Sequence, residues 1–252
     1  MITHISYSSV LLFLNNPAAW YSKYVLGIRD QKTSPAALVG SAFHKYMEGR
    51  LNNMPLALAR DRAVNFMNLV TDVDFGKTGS PEKCLEDLDK LILGYHENPI
   101  RVGIILGVEA GYTEKITGIK LPIKCYIDLI HRLDNEIIIT DWKTVRTFKD
   151  EPTPAQILQG CFYYYIISKA LKQEPVRFDI VQIKVSSNRD GTPQVKTISI
   201  VYADHPEYLV GVKELTKQSI RQMVSKRKKF LVNLRDDYEG EAEFKRFLEQ
   251  FL

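Results

Sequence analysis

The sequence predicts one α/β domain, with a helical N-terminal part packed onto a central mixed sheet and further helices closing the chain. Three observations carry this reading. The first hundred residues have helical periodicity and start signals built on Ser and Pro. A run of short Ile-, Val-, Leu- and Tyr-rich segments, broken by Gly and Asp-Asn, follows after Pro99. Beyond it helix and strand patterns alternate, which requires a sheet covered by helices.

Taken in order, Ser8 can cap a short helix to Asn15, and Pro17 can open a second through Tyr24. Ser34 before Pro35 is a cap and first-turn pair for a helix to about Leu51, and 55–70 and 81–97 repeat the pattern behind Pro55 and Pro81. Segments 103–109, 111–118, 121–131 and 136–142 read as successive antiparallel strands, with Gly111, Gly118 and the Asp134-Asn135 turn as breaks. A helix at 153–171, strands at 177–186 and 194–202 around Arg189-Asp190-Gly191, a long helix at 205–235 and a short one at 241–251 complete the chain. No repeat, low-complexity tract or linker divides it.

Composition narrows the functional classes. The 252 residues are 45% hydrophobic and 25% charged, as in an ordinary globular protein, and at this length about three quarters of the unfolded surface can be buried. Lys and Arg number 34 against 30 Asp and Glu, a net charge of +4; nucleic-acid binding would need a local patch. Cys84, Cys125 and Cys161 lie far apart, without a CxxC pair or a His at zinc spacing, which suits a reducing, cytoplasmic compartment. No apolar run approaches a membrane span.

The chemistry concentrates in two predicted strands. In Glu136-Ile137-Ile138-Ile139-Thr140-Asp141-Trp142-Lys143 the isoleucines indicate a central strand, and alternation puts Asp141 and Lys143 on one face and Trp142 on the other. A strand end with a surface ion pair would account for that much. The preceding strand, Cys125-Tyr126-Ile127-Asp128-Leu129-Ile130, holds an acid amid apolar residues, and a buried carboxylate there demands a cation or hydrogen-bond donors. The Asp134-Asn135 turn brings both aspartates into one hairpin. Two carboxylates and a lysine suit Mg²⁺ or Mn²⁺ with open positions for water and phosphate, a constellation for phosphodiester hydrolysis.

Asp128, a thirteen-residue step and then Asp141-Trp142-Lys143 resemble the D…(D/E)xK core of the PD-(D/E)XK nuclease superfamily, and more narrowly its RecB-type exonuclease domains. Gly40-Ser41-Ala42-Phe43-His44 is similar to the Gly-xxx-His motif of that group, Gln159 to Tyr163 to its Q-xxx-Y motif, and Ser6-Tyr7-Ser8-Ser9…Pro17…Tyr21 to its N-terminal signature. The resemblance implies a restriction-endonuclease-like core at 101–205 between a helical part at 1–100 and C-terminal helices at 206–252. It implies that His44, Asp128, Asp141 and the Trp142 carbonyl hold the metal, and that Lys143 positions the attacking water. Gln159 would lie beside Lys143 and Tyr163 near the substrate phosphate. Glu114 matches an acidic position near the metal, although a solvent-facing pair with a lysine is an equal reading. The residues by themselves allow His44 to be a structural helix histidine, and Tyr163 to Tyr165 to be core aromatics with one wet edge.

Two departures matter. Asn16 precedes Pro17 where iron–sulfur members carry Cys, and no cysteine cluster follows residue 161, so no iron–sulfur cluster is expected. Cys125 occupies a position usually held by Gly, and Cys125 and Cys161 read as small core hydrophobes.

Lys213, Lys217, Arg221 and Lys228 fall along one helical face, with Lys226-Arg227-Lys228-Lys229 behind them; they offer cations to phosphates at low sequence specificity, or form a solvated face that Asp236, Asp237, Glu239 and Glu241 offset. The expected function is a Mg²⁺- or Mn²⁺-dependent DNA nuclease, an exonuclease in end processing, repair, recombination or viral replication. A non-catalytic DNA-binding or assembly module and a nuclease acting on RNA are the alternatives. An oligomer, or a replication or recombination protein as partner, is left open.

Overall fold

The computed structural model describes residues 2–28, 32–77, 79–188 and 191–225. Five helices come first: α1 (Tyr7–Asn15), α2 (Pro17–Tyr21), α3 (Pro35–Leu51), α4 (Leu56–Leu69) and α5 (Pro81–Glu97). Ser6 rather than Ser8 caps α1, because its extended backbone lets Oγ accept the Ser9 N–H at 3.1 Å. Asn16 caps α2, which ends at Tyr21 and widens into a π-helical turn at Ser22–Leu26 instead of continuing to Tyr24. Ser34 caps α3 as the sequence predicts, and Ser80 caps α5.

The sheet holds β1 (Ile104–Glu114), β2 (Ile123–Leu133), β3 (Glu136–Val145), β4 (Arg177–Lys184) and β5 (Val195–Val201), in that spatial order. Only β3 and β4 are parallel, joined by α6 (Pro154–Leu171); the other neighbours are antiparallel. A two-residue hairpin of type I′ needs positive φ at both turn positions, and Asp134 and Asn135 supply it at +50° and +67°. The two segments expected at 103–109 and 111–118 are one strand, since Gly111 does not break β1: it pairs with Tyr126 in register. The last described helix is α7 (Pro206–Met223). The helix expected to reach 235 ends at Met223, capped at Val224, and residues 226–235 and the helix expected at 241–251 lie outside the described residues.

Two apolar clusters flank the sheet. On one face Ile127, Ile137, Ile139, Phe162, Ile166 and Phe178 pack beneath α1, α6 and α7. On the other Phe43, Tyr46, Leu88, Leu91, Trp142 and Val181 pack beneath α3 and α5. Cys125 and Cys161 are buried in the first cluster, as small hydrophobes would be, and burial pushes both thiols up to about 12. No described helix is long and apolar enough to cross a membrane.

One irregularity positions everything that follows. The β2–β3 ladder runs from Leu133↔Glu136 to Leu129↔Thr140 and stops, although β2 continues back to Ile123 and β3 on to Val145. Strict alternation also fails here: Ile127 packs into the first cluster and Leu129, two residues on, into the second. Beside it on β1, Glu109 has φ of +46°. The two central strands therefore part at Asp128, leaving a fork between β2 and β3.

Candidate active site

The fork gathers charged side chains from four elements. Asp128, at the point of divergence, is buried, and its Oδ2 accepts the Trp142 backbone N–H at 2.9 Å. That bond takes the place of a lost ladder partner and answers the sequence-level demand for a donor. The same Oδ2 lies 3.2 Å from His44 Nδ1, and Glu109 Oε1 lies 3.8 Å from that nitrogen. His44 Nε2 donates to the Trp142 carbonyl at 2.9 Å. Burial would lower the His44 pKa, but hydrogen bonds to Asp128 and Glu109 and the charges of Asp128 and Asp141 outweigh it and push it up to about 10.

Asp141 and Lys143 share a strand face as alternation requires, and Trp142 turns into the opposite core, edge-on to Tyr95. Asp141 Oδ1 accepts Gln159 Nε2 at 2.6 Å. Its Oδ2 is buried and meets Lys143 Nζ at 2.6 Å without an aligned hydrogen bond. Complete burial and the neighbouring Asp128 charge raise the Asp141 pKa to about 6 against the opposing pull of Lys143. For Lys143, burial favours the neutral amine, but Asp141, Tyr7 and Asp128 together raise its pKa, so it stays an ammonium.

Close helix packing fixes these positions. A Cβ on Gly40 would lie 3.0 Å from Thr144 Oγ1, so the missing side chain lets α3 approach β3 one turn before His44. On α6, a Cβ on Gly160 would lie 2.6 Å from the Phe178 ring, and that close approach sets Gln159 against Asp141. Gln159 Nε2 also donates to Tyr163 Oη at 2.8 Å, and Tyr163 donates to the Tyr126 carbonyl at 3.0 Å.

The expected site residues are distributed as follows. Gln159 bonds to Asp141, whose other oxygen meets Lys143. Tyr163 is 2% exposed, and its hydroxyl accepts from Gln159 and donates to the Tyr126 carbonyl. Glu114 lies outside the cluster, 3.6 Å from Lys169. The acid that β1 brings to the fork is Glu109: His44, Glu109 and Asp128 each offer a ligand atom within 4.8 Å of the others. Its signal was an acid between Val108 and Ala110, in the apolar half of the strand. Asp141 stands apart from that trio, bound to Lys143 and Gln159. The Trp142 carbonyl faces the site, where His44 now takes it. Tyr7 was also missed; its ring stands edge-on to Tyr163 at 6.2 Å, and burial raises its pKa while the Lys143 charge opposes.

The basic helix is a separate feature. Lys213 lies over the Tyr165 ring, Lys217 folds against Gly118 and pairs with Glu214 at 3.4 Å, and Arg221 is exposed. No described contact joins Lys217 or Arg221 to the fork, and Lys228 lies outside the described residues.

A trio of a His and two carboxylates, with Asp128 buried and the other two partly buried, suits a hard divalent cation. Comparison with solved structures places the fold beside the crystal structure of an exonuclease candidate from Eubacterium rectale, at 16% identity and a TM-score of 0.61, covering 87% of this chain and 80% of that one. An alkaline exonuclease from Laribacter hongkongensis aligns at 11% identity and a TM-score of 0.35, over 85% of this chain and 98% of that one. No curated protein matches the sequence significantly. The sequence model of the PD-(D/E)XK nuclease superfamily matches residues 4–247, nearly the whole chain. With the Asp128, Asp141 and Lys143 constellation standing inside that match, the chain belongs to the PD-(D/E)XK nuclease superfamily.

Proposed function

We propose that this nuclease is a divalent-metal-dependent deoxyribonuclease, acting as an exonuclease on DNA ends. The observation that carries the reading is the convergence of His44, Glu109, Asp128, Asp141 and Lys143 in one fork of the sheet. His44, Glu109 and Asp128 would hold Mg²⁺ or Mn²⁺, with Asp141 and the Trp142 carbonyl as further oxygen donors. A bound cation supplies Lewis-acid charge that lowers the pKa of water and offsets charge growing on the phosphoryl oxygens.

The chain's own groups do the rest. Lys143, held as an ammonium by Asp141, donates hydrogen bonds and so orients the attacking water or a phosphate oxygen; a proton-accepting role would need the neutral amine that its neighbours disfavour. Gln159 fixes the Asp141 carboxylate, and Tyr163 fixes Gln159, so the carboxylate presents one oxygen in one orientation. Lys217 and Arg221 on α7 would add phosphate contacts without sequence readout.

The test incubates wild-type protein with end-labelled linear single- and double-stranded DNA, a closed DNA circle and an RNA of matched sequence, in Mg²⁺, Mn²⁺ or EDTA. Metal-dependent loss of linear DNA that spares the circle supports the proposal. Cutting of the circle replaces exonuclease by endonuclease, cleavage confined to RNA moves the substrate, and DNA binding without any cleavage supports a non-catalytic module.

A further inference from the structure

Beyond the fork, β2 has an open edge. Among the described residues the N-terminal segment takes the ladder position only at Ile5↔Ile123, with Lys124 N–H donating to the Ile5 carbonyl at 2.7 Å. Between that bridge and Asp128 lies a cavity of about 330 Å³, lined by Ser6, Tyr7, Lys124, Tyr126 and Tyr163. Tyr126, which borders it, stands two residues from Asp128 on the same strand.

Tyr126 is unusual among these residues because it is 58% exposed. An aromatic ring in the middle of a sheet normally packs beneath a helix, but no described helix covers this one. Its position is nonetheless fixed. The ring lies against Gly111 on β1, where a Cβ would come within 2.9 Å of it, and Lys124 Nζ sits 5.3 Å from the ring centroid. Its carbonyl is held by Tyr163. A solvent-exposed planar ring anchored by a glycine cradle and flanked by an ammonium has the parts of a stacking platform for single strands, in which an aromatic face takes a base and a cation takes the backbone.

We propose that Tyr126 stacks on the unpaired nucleobase next to the scissile phosphate, with Lys124 meeting that nucleotide's backbone, so that the site takes a single-stranded end. The proposal rests on the nuclease reading for its choice of ligand, and its test is made independent of cleavage. Binding of a fluorescein-labelled six-nucleotide DNA strand with phosphorothioate linkages is measured by anisotropy in Mg²⁺ for wild type, Tyr126→Ala and Tyr126→Trp. The same strand is also used with one abasic nucleotide placed at each position in turn.

The expected result is a Kd raised about tenfold in Tyr126→Ala and near wild type in Tyr126→Trp. One abasic position should weaken wild type by a similar factor and leave Tyr126→Ala unchanged. Equal affinity of Tyr126→Ala and wild type, equal abasic penalties in both, or no binding by wild type overturns the proposal. Cleavage of an ordinary phosphodiester strand is scored separately. Stacking without cleavage would leave the platform standing and remove the nuclease reading.

Discussion

Asp128 Oδ2 accepts the Trp142 backbone N–H at 2.9 Å across the point where β2 and β3 stop pairing. One side chain thus replaces a ladder bond and faces His44 with the same oxygen. This joins the strand divergence to the clustering of charges: without the fork, three carboxylates and two cations would have no common space at the centre of the sheet.

Glu109, not Glu114, should matter for metal binding. Glu109→Gln is expected to weaken Mn²⁺ affinity about 10- to 100-fold by titration calorimetry, and Glu114→Gln to leave it unchanged. The reverse ranking would return the acidic role to Glu114.

Gln159 and Tyr163 form a positioning relay. Gln159→Leu removes a donor from buried Asp141 and should raise its pKa above about 6, moving the acid limb of the pH–rate profile upward and slowing cleavage about tenfold or more. Tyr163→Phe leaves the Tyr126 carbonyl without its donor, with an expected loss of about 1 kcal/mol in denaturant unfolding and a smaller rate effect. An unmoved pH profile in Gln159→Leu would remove the relay.

Gly160→Ala places a methyl group 2.6 Å from the Phe178 ring. Overpacking should destabilise the fold by about 1–3 kcal/mol, read as a lower denaturant midpoint.

His44 couples metal binding to pH. In the metal-free protein its pKa rises from 6.5 to about 10, so the imidazolium stabilises the fold fully below pH 6.5, and the contribution is lost as pH rises through 10. A metal ligand must be neutral, so binding expels that proton. Between pH 7 and 9 the apparent metal affinity should rise about tenfold per unit, with near one proton released in calorimetry across buffers of different ionisation heat. PH-independent affinity would show that His44 is not a ligand.

Much of this was legible because it rests on local rules. Alternation placed Asp141 and Lys143 together and Trp142 apart, and the Asp-Asn turn predicted the hairpin that brings Asp128 alongside. Buried Asp128 announced its own need for a partner. What escaped the sequence is what regular geometry hides. Glu109 stands at a positive φ on a strand that the sequence reading divided at Gly111, and Tyr163 turns inward because Gln159 and the Tyr126 carbonyl use its hydroxyl. The exposure of Tyr126 depends on where the helices of the two covering layers end, and no spacing along β2 encodes that.

The most direct measurement compares metal-dependent cleavage of linear DNA by wild type, Lys143→Ala and Asp141→Asn, each shown by circular dichroism to be folded. The account predicts that wild type cuts in Mg²⁺ or Mn²⁺ and not in EDTA, and that both variants lose at least about a hundredfold in rate. Folded variants that cut at the wild-type rate would contradict the assignment of the fork as the active site.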